Sequence, residues 1–259
     1  MSGPLIEFRG VQKAFGPKRV YRHLDLSIER GESITIIGGS GQGKSVMLKL
    51  LTGLLPIDGG EILYDGERID EFDERQMAPV RRRVQMLFQG GALFDSMSVG
   101  ENVKYGLREA GELSEVDMEE RAQDALEKVG LEGAGAKWPS ELSAGMKKRV
   151  GLARAIAIRP DVLLYDEPTT GLDPVTIRRI TELILSLKQT LNVTSVVVTH
   201  DMPAVFRLSD RIAMIQDGGI IFSGSPRDLM QSDDPRVHNF VHGIAPENED
   251  TATLLRSAG

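Results

Sequence analysis

Residues 33–55 constrain this chain more than any other stretch. Ser33-Ile34-Thr35-Ile36-Ile37 is a short β-branched run, and Gly38-Gly39-Ser40-Gly41-Gln42-Gly43-Lys44-Ser45 is a glycine-rich turn. The residues from Val46 to Leu55 then read as a helix, closed by Gly53 and Pro56. Strand, turn and helix in that order open a parallel α/β core. The turn fits the pattern G-x-x-x-x-G-K-[ST], whose chemistry is specific. Successive backbone N–H groups face inward around phosphate oxygens, and the positive end of the helix that starts at Lys44 adds to their field. Lys44 supplies a point charge for β- and γ-phosphates, and Ser45 a hydroxyl for Mg²⁺.

The rest of the chain extends this core. Leu5 to Phe8 and Leu24 to Ile28 read as strands, with Gly16-Pro17 as a turn signal between them. Residues from about 90 to 158 are mostly helical in pattern. Within them, Glu115 to Val129 places Val116, Ala122, Leu126 and Val129 on one face. This stretch reads as a helical lobe inserted into the core. Val162 to Tyr165 and Val193 to Thr199 are buried-strand candidates, separated by an amphipathic helix over Thr176 to Leu191. Ile212 to Ile215 and Ile220 to Ser223, split by Asp217-Gly218-Gly219, read as a hairpin. There is no internal repeat.

A second chemical motif lies at the end of the Val162 strand, where Asp166 and Glu167 are adjacent carboxylates. In open α/β sheets that end faces the ligand crevice. Neighbouring strand residues point to opposite faces, so the pair reads as two groups with different roles: Asp166 for Mg²⁺ and Glu167 as the general base that polarises an attacking water. Locally, a solvated acidic pair before the Pro168 turn is the competing reading. A third motif, Leu142-Ser143-Ala144-Gly145-Met146, precedes a helix carrying Lys147, Lys148, Arg149 and Arg154. Serine and glycine before a helix form an anion-binding terminus. An ordinary N-cap fits these residues equally well.

Composition sets outer limits. A formal net charge of -7 and 5% aromatic residues fit poorly with nucleic acid as a partner. The absence of cysteine removes disulfide, thiolate and cysteine–metal chemistry. No run approaches the roughly 20 apolar residues that span a bilayer, and the N-terminal residues do not read as a secretory signal.

Taken together, the phosphate loop, the carboxylate pair and the serine–glycine turn resemble the ABC (ATP-binding cassette) ATPase family, whose signature is usually Leu-Ser-Gly-Gly-Gln. The resemblance runs from about residue 5 to 225. It implies a RecA-like parallel-sheet core with an antiparallel N-terminal β subdomain and an inserted α-helical subdomain. The cassette would cover residues 5–246, followed by a tail over 247–259 that is either mobile or crosses to a partner subunit. The resemblance also implies ATP and Mg²⁺ as ligands and assigns further residues. Gln89 falls at the position of a glutamine that senses the metal and the attacking water and links the lobes. Asp173, in Gly171-Leu172-Asp173, falls in a loop that crosses to the opposite subunit. His200 matches a histidine that contacts the γ-phosphate, and Phe15 an aromatic that stacks on adenine. Two copies would meet head to tail, each ATP lying between one copy's Gly38–Ser45 loop and the other's Ser143–Met146 turn. The turn departs from the family pattern at Ala144, tolerable where φ is negative, and at Met146, which cannot hydrogen-bond as glutamine does.

A narrower resemblance is carried by Phe88-Gln89-Gly90-Gly91-Ala92-Leu93-Phe94-Asp95-Ser96-Met97, by Met146, and by Asp234-Pro235-Arg236-Val237 with Gly243-Ile244-Ala245. These resemble the ATPases of MCE-associated lipid transporters, of which the bacterial Mla phospholipid system is an example. That implies two transmembrane permease subunits and a periplasmic MCE lipid-binding protein, with a STAS-domain subunit in some members. It places the ATPase on the cytoplasmic face of the inner membrane, held there through the permeases, and suggests that the chain past Asp234 reaches across the dimer. An importer ATPase for a small solute such as an amino acid is the nearest alternative.

Overall fold

A computed structural model describes residues 3–244. The chain opens with a hairpin, β1 (Ile6–Phe15) and β2 (Lys18–Ile28), turning at Gly16-Pro17. β4 (Gly59–Tyr64) pairs antiparallel with β1, and β5 (Glu67–Arg68) with β4, giving a four-stranded antiparallel sheet in the order β2-β1-β4-β5. The second sheet has six strands in the order β10-β9-β3-β8-β7-β6. In it, β3 (Ser33–Ile37), β6 (Val84–Leu87), β7 (Val162–Asp166), β8 (Thr194–Val198) and β9 (Arg211–Gln216) run parallel. β10 (Gly219–Gly224) closes the edge as an antiparallel hairpin with β9.

The parallel strands are continuous apolar runs because both of their faces are covered. On β7, Val162 and Leu164 point into one core with β1, β2 and α1 (Lys44–Leu51), while Leu163 and Tyr165 point into another. That second core packs α3 (Val99–Ala110), α4 (Glu115–Lys128) and α5 (Ala144–Ala157) with α6 (Pro174–Leu191). α2 (Glu74–Arg83) leads into β6 under a capping box from Asp73. A third cluster joins β9 with α7 (Met202–Leu208), α8 (Pro226–Met230) and α9 (Pro235–His242).

Two expectations change. Val116 is 69% exposed and Met118 takes the buried position on α4. The helix after the phosphate loop ends at Leu51, because Gly53 adopts φ +65° and turns the chain. The Phe88–Met97 motif is not helical. It is a loop stitched by the fully buried Asn102, whose side chain bonds Phe94 N and O, Met97 O and Ser98 O at 2.8–3.1 Å. The segment past Asp234 begins with α9, whose Val237 is buried in its own chain. Ala245 and the tail over 247–259 lie outside the described residues.

Candidate active site

Four segments converge at the carboxyl ends of β3, β7 and β8. The loop after β3 needs glycine at two points for steric reasons. A Cβ on Gly38 (φ +149°) would stand 2.4 Å from Ile215 O, and one on Gly43 (φ +98°) 2.4 Å from Val20 Cγ1. The Tyr21 hydroxyl donates to Gly43 O at 2.6 Å and pins the turn into α1. Lys44 Nζ folds back to donate to Gly38 O (2.9 Å) and Gly39 O (3.1 Å). Burial lowers its pKa, against the opposing pull of the Glu167 and Asp166 carboxylates. A half-buried ammonium held over the loop by neutral carbonyls is poised for a stronger anionic partner.

Ser45 Oγ donates to Asp166 Oδ1 at 2.6 Å, bringing the start of α1 against the end of β7. Strand alternation predicts that Glu167 faces away from Asp166. It does not, because β7 stops at Asp166 and Glu167 takes a left-handed φ of +48°. Its N–H donates to Val198 O at 2.9 Å, and its carboxylate turns back to line the same cavity as Lys44 and Ser45. Such a conformation in a non-glycine residue costs on the order of 1 kcal/mol and persists only where its surroundings hold it. Thr170 Oγ1 donates to Glu167 Oε2 at 3.1 Å, and His200 Nδ1 lies 2.9 Å from the same oxygen. The His200 side chain is 65% exposed, so it is open to a ligand from the solvent side.

A cavity of about 400 Å³ joins these groups, lined by Phe15, Lys18, Val20, Ser40, Gly41, Gly43, Lys44, Ser45, Val46 and Glu167. Phe15 is 44% exposed, and the buried Lys13 holds its ammonium 5.3 Å from the ring centroid while bonding Asp58 at 2.9 Å. Lys18 and Val20 were not singled out from sequence. Their signal was the β1–β2 register, which places Lys18 opposite Phe15. Gln42 turns outward instead, its Oε1 accepting from Asp217 N at 3.1 Å and tying the loop to the β9–β10 turn. A larger cavity of about 750 Å³ lies elsewhere, between α2, α3 and α5. Its walls include Leu54, Phe88, Phe94, Tyr105 and Ile158, and it shares no residue with the phosphate loop.

The remaining sequence candidates stand apart from this cavity. Gln89 is exposed beyond β6 and is not part of the lining. Ser143 caps α5, accepting from Met146 N at 3.3 Å, and both Ser143 and Ala144 are exposed. Ala144 is the first residue of α5 and is not among the positive-φ residues, so its methyl is accommodated. Met146 packs against the helical core. Asp173 caps α6 and accepts from Val175 N, Thr176 N and Thr176 Oγ1. Within one chain, then, the Ser143–Met146 turn and Asp173 have no phosphate loop to serve.

The donors near Ser45 and Asp166 are all oxygen, which suits a hard divalent cation. No cluster of three or more His, Cys, Asp or Glu side chains able to hold a metal exists among the described residues. One carboxylate and one hydroxyl therefore fit an ion that takes its other ligands from a substrate's phosphates.

A family model described as "ABC transporter" matches residues 21–170. The chain is 42% identical to the intermembrane phospholipid transport system ATP-binding protein MlaF of Escherichia coli K12, over 93% of this chain and 90% of that one. It is 37% identical to a probable ribonucleotide transport ATP-binding protein, mkl, of Mycobacterium tuberculosis H37Rv, over 97% of this chain and 72% of that one. Among solved structures, cbiO1 of Clostridium perfringens superposes with a TM-score of 0.81 at 29% identity, covering 89% of this chain and 92% of that one. A dimeric ATP-binding cassette in a post-hydrolysis state, bound to ADP and Pi, superposes at 0.78 with 30% identity, covering 85% and 98%. The expected α/β cassette fold is therefore the observed one. With Lys44, Ser45 and Glu167 lining one cavity, Asp166 bonded to Ser45 and His200 against Glu167, the chain belongs to the ABC transporter family as an ATP-binding, ATP-hydrolysing subunit.

Proposed function

We propose that this subunit powers phospholipid transport by an Mla-type complex, as a head-to-tail pair of ATPase subunits. The observation that carries the reading is the match to MlaF along nearly the whole of both chains. The positions of Ser143 and Asp173, away from their own phosphate loop, support the pairing. The partners are two transmembrane permeases and a periplasmic MCE lipid-binding protein, with a STAS-domain subunit where the system has one. No helix among the described residues is long and apolar enough to cross a membrane. In this reading the subunit sits on the cytoplasmic face of the inner membrane, held there by its permeases.

In this reading the cassette spans residues 5–246, with the 90–158 lobe carrying the Ser143–Met146 turn to the partner's ATP. Phe15 stacks on adenine. The backbone N–H groups of Gly38–Ser45 surround the phosphates, and Lys44 exchanges its two carbonyl partners for β- and γ-phosphate oxygens. Ser45 and Asp166 would hold Mg²⁺, with Gln89 near it when the lobes close, and the bound ion would supply positive charge against that developing on the phosphates. Glu167 accepts a proton from the attacking water, and His200, already against Glu167, contacts the γ-phosphate. Gly145 N–H and the Ser143 hydroxyl face the partner's γ-phosphate. Loss of that phosphate loosens the interface.

Affinity purification of the tagged chain from native membranes tests the assignment. Copurifying permease and MCE subunits with bound phospholipid are the expected result. A solute-binding protein and a small-solute permease in their place would overturn it in favour of an importer.

A further inference from the structure

Lys148 is a buried cation without a counter-ion. It lies on α5, the helix that Ser143 caps, and is 4% exposed. Its ammonium donates to Pro168 O at 2.8 Å and Thr170 O at 2.8 Å, with Glu167 O at 3.5 Å. No carboxylate lies within ion-pair distance of it among the described residues. A buried charge left to neutral carbonyls is costly, and most proteins avoid it. Here all three carbonyls belong to one turn, the turn that follows Glu167. Apart from Glu167 N to Val198 O at 2.9 Å and Thr170 Oγ1 to the Glu167 carboxylate at 3.1 Å, the turn is held by long bonds alone, Thr170 N to Glu167 O at 3.3 Å and Leu172 N to Thr169 O at 3.3 Å. Glu167 itself sits at φ +48°, a conformation that requires external support.

We infer that Lys148 is a positioning residue for hydrolysis: it clamps the Pro168–Thr170 backbone to α5 and so holds Glu167 in the left-handed conformation that aims its carboxylate into the nucleotide cavity. The inference rests on the reading of Glu167 as the base that activates water. Lys148 does not line the cavity, so it touches neither nucleotide nor water. Its contacts are with the backbone of the turn, and beyond them it attracts the Glu167 carboxylate without touching it; the chemical step is what depends on both. Two short bonds, to Pro168 O and Thr170 O, also explain why a lysine is tolerated at this depth. Its four-carbon stem reaches from α5 across to the end of β7, and its rotatable N–H donors satisfy several carbonyls at once.

The test compares K148M, K148R and E167Q as full-length chains purified with their copurifying subunits. K148M keeps most of the length of the side chain and removes the donors. Its kcat is expected to fall roughly 10- to 100-fold, the scale for a displaced reacting group. Its Kd for a fluorescent ATP analogue should stay within about twofold of native. Amide hydrogen exchange should quicken at residues 167–172 and stay unchanged in α1. K148R offers guanidinium donors to the same carbonyls and should recover much of the rate. A K148M chain with near-native kcat, or one whose exchange rises throughout the fold, would overturn the inference. If E167Q is inactive while K148M is unimpaired, the inference alone fails. If E167Q keeps the native rate, the role of Glu167 fails first.

Discussion

Gly145 is the residue of the serine–glycine turn whose identity the packing explains most directly. It is buried in the first turn of α5, with no positive φ to require glycine. A Cβ built there stands 2.7 Å from Thr176 Cγ2. Thr176 cannot swing its methyl away cheaply, because its hydroxyl is committed to Asp173 Oδ2 at 2.5 Å. Alanine at 145 would gain about 0.5–1 kcal/mol of helix propensity. The overlap costs about 1–3 kcal/mol if α5 and α6 must move apart. The net expectation for Gly145→Ala is a loss of about 1–2 kcal/mol, a fall in Tm of roughly 2–8 °C for a chain of this size. Thr176→Ser removes the offending methyl and keeps the hydroxyl on Asp173. Added to Gly145→Ala, it should restore most of the loss, giving a coupling energy of about 1 kcal/mol or more in a double-mutant cycle. Thermal and urea unfolding of the four proteins supply the cycle. A Gly145→Ala chain as stable as native, or a loss that Thr176→Ser leaves untouched, would refute the steric argument.

Other outcomes follow from the same geometry. Glu167→Gln should lower kcat by about 10²- to 10⁴-fold, the range for a lost general base, while ATP binding persists; steady-state turnover and nucleotide titration separate the two. Phe15→Ala should weaken ATP binding by about 1–3 kcal/mol, the worth of one base stacked on an aromatic, measured with a fluorescent analogue. Ser143→Arg should abolish ATPase activity by blocking the approach of the partner's phosphates, whereas Met146→Gln should retain it, since Met146 contributes apolar packing here. Near-normal turnover in the Ser143 variant would remove that residue from the site.

The elements that sequence located are those held by local rules. The β3–loop–α1 unit is legible because glycines, Lys44 and a β-branched strand are contiguous. The runs at 162–165 and 193–199 are legible because strands covered on both faces are apolar throughout. Ser143 reads as an N-cap before a base-rich helix, and it caps α5. These features were enough to determine the fold class and the nucleotide chemistry. What depended on groups distant in sequence was decided by tertiary structure. Glu167 shares a side with Asp166 because a left-handed residue, fastened to Val198 on β8, interrupts strand alternation. Lys148 is one of several bases on the helix after Ser143, and only the packing shows it buried on carbonyls some 20 positions away. Gln42 sits inside the phosphate-loop motif yet spends its side chain on the β9–β10 turn. Lys18 joins the cavity only through its pairing across the first hairpin. Sequence records which groups are present and their local conformational preference. Whether two groups meet depends on how the sheets and helices pack, which is why Lys44 and Ser45 could be named from the chain alone and the support around Glu167 could not.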